Sequence, residues 1–335
     1  MSDLASIIIV TYNCQHYMKN CLDAVLKQDY PHEVIVADNA SEDNTVQFVR
    51  ENYPMVKVVE TGADWGYGIG NNIGVKHASG KYIVILNPDT IVHDSWLREL
   101  ITPIQGNEKV ITTSKVLLWD GKSINTFGNT IHFSGLAFTT CLGENPDNHT
   151  ETKIVSAISG ASFALTKEAY EELNGFDKHF FLYHEDAEIS WKAAYLGYPI
   201  LAIPTSTLNH DYELRVSANK IYNLEKGRYF ILRKYYPKST VISLLPSLFV
   251  AEILSCGYAV KQGPKGVLQK IKGTFAGLKG EIDIETGNKQ YLYLKLDKLI
   301  PTNQLTTNRL EIAVIRMANH IFTWNWDKFQ NKNRN

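Results

Sequence analysis

Asn87-Pro88-Asp89 stands directly after the apolar run Tyr82 to Leu86. A carboxylate at the mouth of a buried strand suits a hard divalent cation, which takes one or two carboxylates plus substrate phosphates. Much further along comes a second acidic cluster, His184-Glu185-Asp186. A carboxylate set apart from the first suits a base that removes a proton. Together they point to metal-assisted transfer from a phosphorylated donor. Each motif also has a plainer reading. Asn-Pro-Asp is good turn chemistry, and acids are favoured at the start of a helix by its dipole.

The surrounding pattern decides where these groups sit. Short β-branched or apolar runs at 6–10, 34–37, 56–59 and 82–86 alternate with helical spacing over 15–28, after Thr45 and over 71–78. In the first helix Met18, Leu22, Val25 and Leu26 share one side, and Asn13 is the expected cap. This βαβ rhythm of continuous apolar strands predicts an α/β fold, with a parallel sheet covered on both faces. Such sheets bind ligands beyond the carboxyl ends of their strands. The polar clusters fall there: Thr11-Tyr12-Asn13, Asp38-Asn39-Ala40-Ser41 and Asn87-Pro88-Asp89. Asp38 could accept hydrogen bonds from the base or ribose of a nucleotide. It could equally make a turn with Ser41 and Asp43, which read as caps. The run Gly66 to Gly74 precedes a helix, so its backbone could approach phosphate. It is neither a P-loop nor a dinucleotide fingerprint.

Beyond Asp94, the expected cap of a helix over 95–101, strands are expected at 110–118 and 154–165. The turn-rich stretch 119–152 suits an acceptor-binding hairpin. A helix is expected from Glu185 to Leu196, ending at Gly197. His210 is a candidate metal ligand, although a lone histidine is more often structural.

The 335 residues are 44% apolar, enough for a large core and an extension. Lys and Arg number 34 against 35 Asp and Glu. That balance argues against nucleic acid as a partner. The four cysteines are scattered without a CxxC pair, which reads as reduced thiols in a cytoplasmic setting, with no zinc site. The first residues lack the pattern of a signal peptide. Residues 241–260 are apolar but interrupted by Pro246 and Glu252, and read as a packed or membrane-surface helix rather than a span. From about Tyr222 the pattern becomes helical and basic-aromatic, so 1–220 is expected as the catalytic domain and 221–335 as a helical region. Apolar and aromatic segments at 312–317 and 321–326, flanked by Lys and Arg, suit peripheral contact with the cytoplasmic face of a membrane. They suit a homodimer interface equally well.

In order, Ile9-Val10-Thr11-Tyr12-Asn13, Asp38-Asn39-Ala40-Ser41, Gly66 with Asn72 and Gly74, Leu86-Asn87-Pro88-Asp89-Thr90, Gly160-Ala161, Asn174-Gly175-Phe176-Asp177, Phe181 to Asp186, His210 and Arg228 form a series. This series resembles the family 2 glycosyltransferases of GT-A fold, nearest to a rhamnosyltransferase-like branch, over roughly residues 5–235. The resemblance implies transfer of a sugar, with inversion, from a nucleotide-diphosphate donor to a glycan or lipid-linked acceptor. It implies that Thr11, Tyr12, Asn13, Asp38, Asn39, Gly66, Asn72, Asn87 and Arg228 contact the donor. Asp89 and His210 would hold Mg²⁺ or Mn²⁺, Asp186 would be the base, and Glu185 would support it or touch the acceptor. Three departures stand out: Asn87 in place of the first carboxylate of the Asp-x-Asp motif, and Asp64 and Tyr229 where Asn is usual. Three rivals remain, of which a purely structural α/β domain ranks last because it would make the polar clusters at several strand ends accidental. A non-catalytic relic that binds nucleotide-sugar would fail a transfer assay, and a nucleotidyltransferase would release pyrophosphate.

Overall fold

A computed structural model describes residues 3–212, 218–287, 289–302, 306 and 308–334. The strands are β1 (Ala5–Thr11), β2 (His32–Asp38), β3 (Lys57–Glu60), β4 (Tyr82–Leu86), β5 (Thr90–Val92), β6 (Ile111–Leu118), β7 (Ile124–Phe127), β8 (Asn129–Ile131), β9 (Ala137–Thr139), β10 (Lys153–Val155), β11 (Ser162–Thr166) and β12 (Ile200–His210). Among the described residues, ten strands form one sheet whose main path runs β10-β12-β6-β11-β4-β1-β2-β3, with β5 on β12 and β7 on β6. β8 and β9 form a separate hairpin.

The half β3-β2-β1-β4 is parallel. Every residue of β1 and β4 is buried, as continuous apolar runs require of a sheet covered on both faces. β11 then enters antiparallel to β4, with Ser162 opposite Leu86. That reversal places the turn before β11 at the carboxyl edge of the parallel strands. Residues 154–165 therefore form two strands, β10 and β11, with Ser156–Ala161 looped between them.

The helices of the first half are α1 (Gln15–Val25), α2 (Thr45–Asn52), α3 (Gly66–Lys76), α4 (Trp96–Ile101), α5 (Lys167–Glu172) and α6 (Glu185–Leu196). α6 ends at Gly197 in the left-handed conformation (φ 83°). Two caps differ from expectation. Cys14, not Asn13, occupies the N-cap of α1, and Ser95, not Asp94, that of α4; neither makes a side-chain cap bond. The glycine run is helix, not loop. A Cβ on Gly74 would lie 2.5 Å from Ile8 Cγ2, and one on Gly70 2.8 Å from Val10 Cγ1. The glycines let α3 press against β1.

α7 (Ala218–Tyr235), α8 (Lys238–Lys261), α9 (Gly263–Lys279), α10 (Gln290–Lys295) and α11 (Arg309–Arg334) follow. The division at residue 220 falls inside α7. One core unites Ile131, Phe133, Phe180 and Trp191 with Phe230, Tyr235, Phe322 and Trp326. The cysteines described, Cys14, Cys21, Cys141 and Cys256, are all free thiols.

Candidate functional site

Register builds one wall of the site. Thr11 is opposite Asp38 across β1 and β2, and Leu86 is opposite Ile9. The polar segments following these strands therefore share one edge of the sheet. Asp38 is buried there. Its Oδ1 accepts hydrogen bonds from the hydroxyls of Thr11 (2.8 Å) and Ser41 (2.6 Å), and Oδ2 accepts from Ser41 N (2.8 Å). Asn13 is left-handed (φ 53°), and its Oδ1 accepts from Glu42 N (2.8 Å). Asp43 accepts from Thr45 N and Gln15 N, tying the loop to both α1 and α2. Asn39 donates to Gly66 O (2.9 Å) and accepts from Thr61 Oγ1 (3.0 Å). These side chains hold the loops at this edge of the sheet in shape. Tyr12 stands at the rim and is 48% exposed.

Gly66 is left-handed (φ 77°), and a side chain there would strike the Phe181 carbonyl, which accepts from Tyr67 N. Asn72 faces the protein. Its Oδ1 accepts from Tyr170 OH (2.6 Å) and Phe176 N (2.9 Å), and its Nδ2 donates to Phe176 O (2.8 Å). Its work in this arrangement is to pin the turn Asn174-Gly175.

Asp89 and His210 meet because β5 pairs antiparallel with β12, setting His210 opposite Thr90. His210 Nε2 is 3.4 Å from Asp89 Oδ1. On its other side, His210 Nδ1 lies 3.1 Å from Asn125 Oδ1. That acceptor fixes the proton on Nδ1 and leaves the Nε2 lone pair facing the carboxylate. Asp89 Oδ1 and Asn87 Oδ1 are buried without a hydrogen-bond partner. An imidazole lone pair, a carboxylate oxygen and an amide oxygen, unmet by donors, fit a divalent cation. Sequence reasoning missed Asn125, which lies in the turn-rich stretch with no motif to mark it.

The second wall is the start of α6. Tyr183 (φ 64°) and His184 (φ 73°) are consecutive left-handed residues, a strained entry to the helix. His184 is buried, and burial lowers its pKa to about 4, so the ring is neutral; its Nε2 donates to Gly135 O (3.0 Å). Glu185 is buried with Oε2 unpartnered. Burial, and then the neighbouring Asp186 carboxylate, push its pKa well up. Asp186 is also pushed up by burial, opposed by hydrogen bonds from Ala187 N and Gly160 N and by the charge of Lys220.

The turn before β11 joins the two walls. Asn87 N donates to Ala161 O (3.0 Å), and the Cα of Gly160 faces the Asp186 side chain, where a Cβ would lie 3.4 Å from Asp186 Cβ. Tyr67 OH donates to Gly160 O (2.6 Å). Burial raises the Tyr67 phenol's pKa, and the charges of Glu185, Asp186 and Asp89 raise it further. Tyr67 thus sits in the field of both acidic clusters. Sequence reasoning passed over it inside the glycine run.

Arg228 is the correction. It is 2% exposed, on α7, and its guanidinium pairs with Glu225 (2.7 Å) and with Glu252 of α8. Its charge is already neutralised inside the protein, and the diphosphate role does not fit this geometry. A cavity of about 390 Å³ lined by Asn72, Phe176, Lys192, Tyr195, Lys234 and Glu285 lies apart from Asp89 and Asp186.

Comparison with known proteins agrees with this architecture. The low-salt glycan biosynthesis hexosyltransferase Agl10 of Haloferax volcanii is 26% identical over 58% of this chain and 62% of its own length. The glycosyltransferase AglE of the same organism is 24% identical over 62% of this chain and 64% of its own. The chain thus spans under two thirds of these relatives. Among solved structures, S. aureus TarS 1-349 in complex with UDP-GlcNAc superposes with a TM-score of 0.58, at 15% identity, over 98% of this chain and 92% of that one. The mannosyltransferase PcManGT of Pyrobaculum calidifontis, in complex with GDP-Man and Mn²⁺, gives 0.52 at 18% identity, over 96% and 87%. Both share the GT-A architecture of the mixed sheet described above. Residues 6–173, half of the sequence, match glycosyl transferase family 2, and the chain belongs to that family.

Proposed function

We infer that this chain transfers a sugar from a nucleotide-diphosphate donor to an acceptor hydroxyl, with inversion at the anomeric carbon. The observation that carries the reading is the convergence of Asn87-Pro88-Asp89 and Glu185-Asp186 on the two sides of the Ser159–Ala161 turn. The relatives' names and the nucleotide-sugars in the neighbouring structures support the donor class. Residues 1–220 would carry the chemistry and 221–335 the helical region.

Asp186 is the base. Glu185 is the more buried of the pair and lacks a donor on Oε2. Asp186 has backbone donors and Lys220 to stabilise its anion. Its raised pKa makes it a stronger acceptor for a hydroxyl proton, a contribution of about 10²–10⁴-fold. The acceptor O–H proton passes to Asp186 as the oxygen bonds to the anomeric carbon. The bond from that carbon to the diphosphate breaks, and its electron pair leaves on the nucleoside diphosphate. Attack opposite the leaving group inverts the centre. Mg²⁺ or Mn²⁺ held by Asp89 and His210, with Asn87 adjacent, would supply charge to stabilise the leaving diphosphate. Tyr12 and the Asp38–Ser41 loop border the place for the nucleoside. The acceptor class is a glycan or lipid-linked glycan, and rhamnose or another hexose is the donor sugar.

A thermal-shift screen of nucleotide sugars with Mn²⁺ tests the donor class. A donor at 100 times its dissociation constant stabilises the native state by about 2.7 kcal/mol. Incubation with the responding donor and an acceptor glycan should release nucleoside diphosphate. Release of pyrophosphate from a sugar phosphate and nucleoside triphosphate would assign a nucleotidyltransferase. Binding without any transfer would assign a relic.

A further inference from the structure

We propose that α8, α9 and α11 form a platform that docks this protein on the surface of an anionic lipid bilayer. α8 packs between α9 and α11. Each of the three exposes apolar side chains at helical spacing. They are Ile242, Leu245, Phe249 and Ile253 on α8, Leu268, Ile271, Phe275 and Leu278 on α9, and Leu310, Val314, Met317, Ile321 and Trp324 on α11. Phe249 is 68% exposed, Phe275 57% and Trp324 57%. Isolated exposed apolar residues need no explanation, but three adjacent stripes mark an interaction surface.

Charge identifies the partner. Residues 238–335 hold 14 Lys and Arg against 7 Asp and Glu, in a chain of net charge −1. The basic groups lie among the apolar ones. On α9, Lys265, Leu268, Lys272, Phe275 and Lys279 follow one another at spacings of three and four along an exposed line. The opposite line, Gly266, Lys270, Gly273 and Gly277, is buried. Lys279 Nζ lies 5.8 Å from the centroid of the Phe275 ring, and Lys328 Nζ 5.5 Å from that of Trp324. Aromatic and aliphatic groups interleaved with lysine suit the headgroup boundary of anionic lipid. A second copy fits less well, because a two-fold interface sets the same patch against itself and brings like charges together.

α8 is long and apolar enough to cross a membrane by length and composition. Its inner side is wired to the protein instead. Glu252 pairs with Arg228 and with Lys270 Nζ (2.7 Å), and Ser247 Oγ donates to Asn325 Oδ1 (2.7 Å). A surface mode keeps those bonds and gives the outer side to lipid. The platform also adjoins the site. A Cβ on Gly266 would lie 3.3 Å from Ile221 Cδ1, and the Tyr212 ring is 5.7 Å from His210. Tyr212 OH accepts from Lys220 Nζ (3.3 Å), whose charge acts on Asp186. Docking would bring a membrane-borne acceptor to that mouth, a consequence that rests on the transferase reading; docking itself does not.

The test is flotation of the full chain with vesicles of phosphatidylcholine, alone or mixed with phosphatidylglycerol, without donor or acceptor. Binding is expected to the mixed vesicles only and to fall with salt. The triple variant Phe249→Ser, Phe275→Ser, Trp324→Ser should lose at least about tenfold in binding. Lys272→Gln with Lys279→Gln should lose about 25-fold, near fivefold per charge. Circular dichroism and the Mn²⁺-dependent nucleotide titration should be unchanged in both variants. Wild-type protein that stays unbound with mixed vesicles would overturn the proposal. So would a sedimenting dimer that the triple variant dissolves. Because no turnover is read, failure here leaves the transferase reading standing, and the converse also holds.

Discussion

The Glu185 carboxyl is buried beside that of Asp186, and both are pushed towards the protonated form. An unfolded glutamate titrates near ~4.3. Below that value Glu185 is protonated in both states, and its burial carries no electrostatic penalty. As pH rises, the unfolded chain releases its proton first, so native stability falls until the raised native value is passed. Glu185→Gln removes that penalty. Its melting temperature should match wild type near pH 4 and exceed it by a few degrees at pH 8, with transfer retained because Asp186 remains. Calorimetry across pH checks this. At the other wall, Asn125 reaches the proposed metal ligands Asp89 and His210 through His210 Nδ1. Asn125→Ala should weaken Mn²⁺ binding by about 10–100-fold, read by calorimetric titration, and lower the stability of the metal-free protein by about 1–3 kcal/mol, because the buried His210 Nδ1–H loses its acceptor.

At the scale of elements, the parallel half of the sheet was readable because its strands are uninterrupted apolar runs ending in polar clusters. α6 was readable from its acidic start and Gly197. The glycine run misled because glycine signals both loops and close packing, and only the three-dimensional approach of α3 to Ile8 separates them. Gly74→Ala should destabilise by about 1–3 kcal/mol through overpacking, measured by urea unfolding, while Gly257→Ala, helical and with open space around it, lacks any such clash. The antiparallel entry of β11, which builds the turn between the acidic clusters, left no local trace in the sequence. It depends on pairing Ser162 with Leu86, 76 positions earlier in the sequence. Arg228 misled for a related reason. Its partner Glu252 lies on another helix, and no spacing rule shows that the pair closes. Arg228→Leu should cost about 1–3 kcal/mol, because Lys270 Nζ stays 2.8 Å from Glu225 Oε1 and keeps a countercharge there, whereas a diphosphate contact would show in donor affinity alone.

Across the whole molecule, two halves of the chain share one core, and the charge is divided between them. The sheet half carries the acidic clusters, and the helices after 238 carry the basic excess. In the proposed arrangement one face would hold the polar reaction centre while another would meet lipid. The central claim is narrower: Asp89 and Asp186 serve one reaction, with distinct tasks. Single-turnover transfer and Mn²⁺-dependent nucleotide-diphosphate binding, measured together on Asp186→Asn, test it most directly. The expected result is a loss of transfer of at least about 10²-fold with binding within a factor of about two of wild type. Transfer by Asp186→Asn at the wild-type rate would contradict it.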